Sequence, residues 1–392
     1  MKVVVCGAGL TGLALANRLA AHGAEVVVLE RSPGPRSQGY MIDFFGAGYE
    51  ALEAMGLLPA VEEVAYHFGE ANLIDARGRV RARARPEQFT GGRPLLDLMR
   101  PDLERVLREH LPPEVDLRFG AGVVAVTDHG TGVRVGLGDG TEIEADLLAG
   151  ADGVHSTVRR LVFGPEDRYL RYLGFHTAAF AFDAPEIHAA IRGRAVLTDT
   201  IDRQMGFYGL RDGRVATFAV HRAPDPALPP DTRAAVRDVY GGLGWMVPTV
   251  LDRCPPPAEI YYDQVAQIRM PGWHSGRTVL VGDAAYAVSL LAGQGASLGI
   301  AGAYVLADHL AREPTIDDAL AGYERQWRPV AEEKQQVGQA AVRWFLPASR
   351  LQLRARHAML RIARLPLIDR LIATGLAGKP TAPLVRTPTA HT

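Results

Sequence analysis

Lys2 to Glu30 reads KVVVCGAGLTGLALANRLAAHGAEVVVLE, and the order of its parts decides the fold. Val3 to Cys6 are apolar and run straight into Gly7-Ala8-Gly9-Leu10-Thr11-Gly12. A helix-period run to Ala21, a break at Gly23 and a second apolar run from Val26 to Leu29, ending in Glu30, complete a βαβ unit. Gly7 allows the tight turn out of the strand, Gly9 lets backbone approach a pyrophosphate, and Gly12 lets helix and strand pack closely. The helix start offers free N–H groups and partial positive charge to phosphate. Glu30, at the end of the second strand, can accept hydrogen bonds from ribose hydroxyls. An adenine dinucleotide is expected here, and the stretch alone does not distinguish NAD from FAD.

The rest of the composition narrows the class. At 392 residues the chain has room for two or three domains, and 47% hydrophobic with 22% charged residues is ordinary for a globular protein. A formal net charge of −1 gives no general attraction to nucleic acid or anionic lipid, so neither nucleic acid binding nor stable membrane association is expected. Two cysteines, Cys6 and Cys254, are too few for a disulfide framework or a metal site. Met1 leads directly into the first strand, leaving no room for a signal peptide, and no apolar run approaches a membrane span. A cytoplasmic protein is expected.

After Glu30 comes a Gly/Pro-rich loop, Arg31 to Tyr40, that is either a surface connection or a binding segment; composition alone makes its Arg36 solvated. A helix follows from Ala47 to Met55 and stops at Gly56. Short strands fill Val64 to Leu98, with a hairpin around Ala76-Arg77-Gly78-Arg79, a loop at Gly91-Gly92-Arg93-Pro94, and Arg81, Arg83 and Arg85 alternating on a solvated edge. Arg100-Pro101-Asp102-Leu103 opens a helix to about His110. Strands at Val115 to Phe119, Val123 to Val126, Val133 to Leu137 and Glu142 to Ala145 read as a meander. An apolar strand then empties into Asp152-Gly153, and Ser156 is placed to cap a helix from Thr157 to Leu161.

Between Phe163 and Pro271 alternating runs such as Phe175 to Phe182, Gln204 to Leu210 and Val215 to His221 predict antiparallel strands, interrupted by a helix from Thr232 to Tyr240. The α/β pattern returns at Arg277 to Ala285, where a strand runs to Gly282-Asp283, followed by Gly293-Gln294-Gly295-Ala296-Ser297 and a helix from Leu298 to Leu310 rich in small residues. Arg343 to Ile372 is basic and amphipathic and is expected as a packed helix joining the domains.

Strands ending at Gly7, Asp152 and Asp283 can line one extended ligand, because ligands of doubly wound sheets bind outside the carboxyl ends of the strands. A helix start at Gly295-Ala296 can offer N–H groups to developing negative charge. Asp283 by itself can equally be a helix cap.

The ordered set GAGLTG with Glu30, Arg100-Pro101-Asp102-Leu103, Ala151-Asp152-Gly153 with Ser156 and Arg159, and Gly282-Asp283-Ala284-Ala285 resembles the single-component FAD-dependent aromatic hydroxylases related to p-hydroxybenzoate hydroxylase. The likeness covers about residues 1 to 345. It implies an α/β fold with a Rossmann-like FAD-binding domain (1–65, 99–165 and 272–342), an inserted β-rich substrate domain (66–98 and 166–271) and C-terminal helices and tail (343–392). It implies that Glu30 holds the adenosine ribose, Arg100 contacts the FAD phosphates, Asp283 binds the ribityl chain, and Arg36 contacts FAD or the nicotinamide donor, against the compositional reading. Asp152-Gly153 resembles the motif associated with both FAD and NAD(P)H.

The full cofactor set implied is Gly7, Gly9, Leu10, Thr11, Gly12, Glu30, Arg31, Arg36, Arg100, Val124, Asp152, Gly153, Gly282, Asp283, Gly295, Ala296 and Ser297. Ser297 stands where the family often carries asparagine, so a side-chain contact from that asparagine is lost here.

The activity implied is hydroxylation of an aromatic or polyketide-like small molecule, with NADPH or NADH and O2, through a flavin C4a-hydroperoxide. Rival readings are a flavin oxidase or dehydrogenase without oxygen insertion, and a non-catalytic FAD-binding protein. Phe175, His176, Phe180, Phe182, Met205, Phe207, Tyr208 and Phe218 are available as pocket walls, although alternating aromatics ordinarily fill the core of a sheet. His176, Phe180, Phe207 and Tyr208 are taken as the substrate candidates. The sequence singles out no catalytic base.

Overall fold

The computed structural model describes residues 1–36, 38–84 and 94–362. Strand Lys2–Cys6, helix Leu10–Ala21 and strand Glu25–Glu30 form the expected unit, the two strands running parallel from Lys2 opposite Glu25 to Cys6 opposite Leu29. Val3, Val4, Val5 and Val28 are fully buried. Both faces of this sheet are covered, which is why its strands read as unbroken apolar runs. Leu147–Gly150 lies parallel on the other side of Lys2–Cys6, Thr278–Leu280 lies beyond it, and His274–Ser275 closes that edge antiparallel. The three strand ends singled out in the sequence therefore stand side by side.

The far edge departs from expectation. Asp116–Phe119 does not begin a meander but pairs in parallel with Glu25–Glu30, Val27 opposite Asp116. It follows the helix Arg100–Glu109, so it returns to the parallel sheet as a crossover does. Only Val123–Asp128, Val133–Leu137 and Glu142–Ala145 make the separate antiparallel sheet. Helix Gly295–Arg312 packs on Leu10–Ala21, and Arg18 joins them through Asp308 at 2.7 Å, a carboxylate His22 also reaches at 3.1 Å.

The second large sheet has seven strands, in the order Tyr261–Ile268, Leu170–Phe182, Val215–Arg222, Arg203–Gly209, Ala195–Thr198, Ala71–Ile74 and Val80–Ala84. The expected hairpin is its edge, its turn held by Asp75, which accepts from the Arg77 and Arg79 N–H groups at 2.9 and 3.0 Å. Arg81 and Arg83 are exposed on that edge and pair with Asp75 and Glu70, while Arg85 and the stretch 91–93 lie outside the described residues. Helix Thr232–Tyr240, capped by the Asp231 carboxylate, covers one face of the sheet with Val236 and Tyr240. A two-stranded ladder, Met41–Phe45 with Leu95–Met99, connects the two halves of the molecule.

Helices Ile316–Phe345 and Arg350–Ile362 end the described chain. The basic second helix packs on Val80–Ala84, and its Arg356 and His357 both pair with Asp199. Among the described residues no helix is long and apolar enough to cross a membrane.

Candidate functional site

The carboxyl ends of the parallel strands open into two adjoining cavities of about 450 and 330 Å³. Gly9, Tyr40, Arg100, Gly153, Tyr261, Asp263 and Asp283 line both. The larger is bordered by Gly7, Glu30, Arg31, Arg36 and Asp152, the smaller by Leu10, Thr11, Gly295, Ala296 and one face of the seven-stranded sheet.

At the first end, the Glu30 carboxylate accepts from the Ala8 and Ser32 N–H groups at 3.1 and 2.9 Å, with Arg36 at 3.6 Å. Burial by itself raises its pKa, but the Ser32 and Ala8 bonds and the Arg36 charge outweigh burial, and the net shift is downward. Helix Leu10–Ala21 starts beside it at Gly9 with no side-chain cap, leaving its first N–H groups without side-chain acceptors. Arg100, paired to Glu104 at 3.0 Å, puts Nη2 3.6 Å from the point a Cβ on Gly9 would occupy. A pyrophosphate has here a bare backbone approach, a helix N-terminus and a guanidinium, beside an ionised carboxylate suited to a ribose. The donor set fits an adenine dinucleotide.

At the other end Asp283 is not a helix cap. Gly282 is the N-cap of Asp283–Tyr286 and no side chain caps that turn, while the Asp283 carboxyl lines both cavities. Burial raises its pKa and the Arg100 charge opposes the rise. Its Oδ1 is 3.7 Å from the Cβ point of Gly295, where helix Gly295–Arg312 begins, again with no side-chain cap.

Several expected residues sit elsewhere. Val124 is 56% exposed, and its neighbour Val123 lines the cavity instead; in a strand, adjacent residues face opposite sides. Gly12 and Gly282 support the site from behind: a Cβ on the first would meet the Gly7 carbonyl oxygen at 1.9 Å, and on the second Thr11 Oγ1 at 2.5 Å. Ser297 donates to the Phe45 carbonyl and accepts from Gly48 N–H, at 2.6 and 2.8 Å, so its side chain fixes a neighbouring loop. Asp152 borders the cavity, but its oxygens already accept from Ser156 Oγ and the Thr157 and Val158 N–H groups at 2.5, 2.7 and 3.1 Å. Ser156 caps its helix as expected, accepting from Arg159 N–H at 2.9 Å.

The substrate candidates divide by strand face. Tyr208 lines the smaller cavity with Gln204, Gly206, Leu197, Phe218 and Val220. Phe180 and Phe207 belong to the opposite, helix-covered core, and His176 stands on that same face among His221, Tyr262 and Tyr172. Burial lowers the pKa of His176, and of His221 to about 4, keeping both neutral. Sequence reasoning missed Tyr40, Asp43, Leu197, Gln204, Tyr261 and Asp263. The signal for one of them was present, since Gln204 shares the period-2 face of Tyr208 and alternates with Met205 and Phe207, but hydrophobicity placed Phe207 of the opposite face in the pocket and passed over Gln204.

Comparison with known proteins agrees with this geometry. A family described as the FAD binding domain matches residues 1–231 and 253–337. An uncharacterized protein of Mycobacterium tuberculosis is 35% identical over 334 residues, covering 82% of this chain and 87% of its own length. The FAD-dependent monooxygenase asL4 of Sarocladium schorii is 28% identical over 391 residues, covering 89% of each. In fold, the chain resembles the tetracycline destructase Tet(55), with TM-score 0.81, 24% identity and coverage of 97% and 98%. It equally resembles Klebsiella pneumoniae HpxO complexed with FAD and uric acid, with TM-score 0.81, 21% identity and the same coverage. The chain belongs to the FAD binding domain family, and relatives matched over most of its length are named FAD-dependent or flavin-dependent monooxygenases.

Proposed function

We propose that this protein is an FAD-dependent monooxygenase that takes electrons from NADPH or NADH and inserts one atom of O2 into an electron-rich aromatic or polyketide-like small molecule. The observation that carries the reading is the continuity of the two cavities. Glu30 and one uncapped helix start lie at one end, Asp283 and a second uncapped helix start lie farther along, and an aromatic sheet face closes the smaller cavity. When bound, FAD supplies the redox and oxygen chemistry. In this assignment Glu30 holds the ribose, while Arg100, Arg36 and the N–H groups at Leu10 and Thr11 neutralise the pyrophosphate. Asp283 takes hydroxyls of the ribityl chain, and the N–H groups at Gly295 and Ala296 stabilise negative charge on the ring system.

Leu197, Phe218 and Val220 shed water from the far wall, and Tyr208 and Gln204 orient the substrate by hydrogen bonds. The names of the relatives support oxygen insertion over simple oxidation. The test is the visible spectrum of the purified protein, followed by NADPH and NADH oxidation with a panel of phenols under isotopically labelled oxygen. Flavin absorbance, stimulated oxidation and labelled product are expected. Turnover that gives unlabelled product would establish an oxidase or dehydrogenase instead.

A further inference from the structure

Two aspartates face each other at the seam between the halves of the molecule. In the ladder of Met41–Phe45 with Leu95–Met99, Asp43 stands directly opposite Asp97, so their side chains share one face of the sheet. Their neighbours on that face, Met41 and Met99, pack into a cluster with Leu210, Ala216, Tyr66, Phe68 and Tyr208. Asp97 is 9% exposed and accepts from the Phe68 N–H at 3.2 Å; Asp43 lines the smaller cavity beside Tyr208. The two carboxyl groups are within hydrogen-bonding reach of each other.

Charge around the pair is one-sided. Among the described residues neither aspartate is in an ion pair. Arg211, the cation of the adjoining turn, lies over the Tyr66 ring at 4.4 Å and donates to the carbonyls of Val64 and Ala65. Asp212 of that turn is held by Arg214 at 2.8 Å. The remaining titratable groups on the packed elements are the phenols of Tyr66 and Tyr208, neutral near pH 7 and shifted further up, first by burial and, for Tyr208, by the two aspartates. Two carboxylates this close without a cation do not both ionise; they share a proton. Burial first, and then the Asp43 charge, hold Asp97 at about 7, so the buried member keeps the proton and donates to Asp43. Asp43 is accessible from the cavity it lines; loss of bulk solvent there raises its carboxyl as well, and the hydrogen bond from Asp97 partly offsets the rise. The result is a carboxylate lining the cavity, with a neutral hydrogen-bond donor behind it, placed to accept a proton from a bound ligand.

We propose that Asp43 is the proton acceptor for an ionisable hydroxyl of the substrate, with Asp97 as its positioning partner. In this step the substrate O–H bond breaks, its electron pair remains on the substrate oxygen as a phenolate or enolate, and the proton forms a new O–H bond on Asp43. A substrate so ionised is more electron-rich at its ring carbons, which is what oxygen insertion demands. This rests on the monooxygenase assignment of the cavity and adds to it the substrate class: a neutral phenol or enol, since among the described residues lining this cavity Asp43 and Asp283 outnumber the cation Arg100, Asp263 being paired with His155, and so repel a carboxylated one.

The experiment uses flavin-loaded protein labelled with carboxyl-13C aspartate, with 4-nitrophenol as the probe of ionisation. A carboxyl resonance titrating near 7 is expected in the wild type and not in Asp97→Asn. Bound 4-nitrophenol is expected to show its phenolate band below the pKa of the free dye in wild type, and to lose it in Asp43→Asn while flavin content is kept. With a turned-over phenol, Asp43→Asn is expected to lose kcat about 100-fold at nearly constant KM. Asp97→Asn, which keeps a neutral hydrogen-bond donor beside Asp43 but cannot ionise, is expected to keep most of the plateau and to remove the ionisation near 7 from the kcat profile. Unchanged dye ionisation and an unchanged pH profile in Asp43→Asn overturn the proposal. Absent flavin or turnover strikes the monooxygenase assignment instead, and the aspartate titration and the dye spectrum are still read in that case.

Discussion

Replacing Gly12 by alanine tests the first inference made from the sequence, that helix and strand must touch there. The added methyl would lie 1.9 Å from the Gly7 carbonyl oxygen, 3.1 Å from its carbonyl carbon and 3.3 Å from Val5 Cγ1. The oxygen has nowhere to retreat. Gly7 has φ of 110°, its N–H donates to the Leu29 carbonyl at 2.7 Å, and its own Cβ point is 2.5 Å from the Ala151 carbonyl oxygen. Relief requires a shift of more than about 1 Å between helix and strand, which falls at the costly end of overpacking, about 3 kcal/mol. Alanine returns about 1 kcal/mol in helix propensity, so the net loss is about 2 kcal/mol.

The same shift moves the loop that cradles the pyrophosphate, and weakening one charge-assisted hydrogen bond of about 1.5 kcal/mol lowers flavin affinity about tenfold. Urea unfolding of the apoprotein gives the first quantity, and flavin titration of the refolded apoprotein gives the second. Gly69→Ala is the control, because no atom lies within 4 Å of its Cβ point, and it is expected to stay within about 0.5 kcal/mol of wild type. Gly12→Ala protein with wild-type stability and wild-type flavin affinity would refute the reasoning.

Three further outcomes are expected. Asp283→Ala removes a carboxylate that lines both cavities and should purify with a lowered ratio of flavin to protein; full retention contradicts its assignment to the ribityl chain. Phe207→Ala, in the covered core, should lose about 3–5 kcal/mol of stability, whereas Tyr208→Phe should leave stability nearly unchanged and alter KM or kcat for the substrate; the reverse pattern would invert the faces of the Arg203–Gly209 strand.

His155 bridges Asp263 at 3.2 Å and Glu166 at 3.0 Å, and its pKa is raised to about 9, first by the hydrogen bond to Asp263, with burial opposing and Glu166 assisting. A raised histidine stabilises fully below its unfolded value of about 6.5 and loses that contribution as pH rises through about 9. The stability difference between wild type and His155→Ala should therefore be constant in mild acid and vanish in alkali, and a difference independent of pH would exclude the charged bridge.

The βαβ unit, the order of the strand ends and the glycine that joins helix to strand were legible in Lys2 to Glu30 because each is a local requirement. A parallel strand buried on both faces must be apolar throughout, and a helix that meets a phosphate must start bare. Helix Thr232–Tyr240, the hairpin of Ala71–Ile74 with Val80–Ala84 and the Ser156 cap were readable for the same reason. The substrate wall was not. Both faces of the seven-stranded sheet are covered, one by helices and one by the cavity, so period 2 separates Met205 and Phe207 from Gln204 and Tyr208 without saying which set meets the ligand. Nor could spacing along the chain bring Asp43 opposite Asp97, since that meeting depends on ladder register across 54 positions of chain. Sequence determined which residues stand at the carboxyl ends of the parallel strands; only the tertiary structure decided which aromatics became core, which became cavity, and which two carboxyl groups came to stand opposite each other.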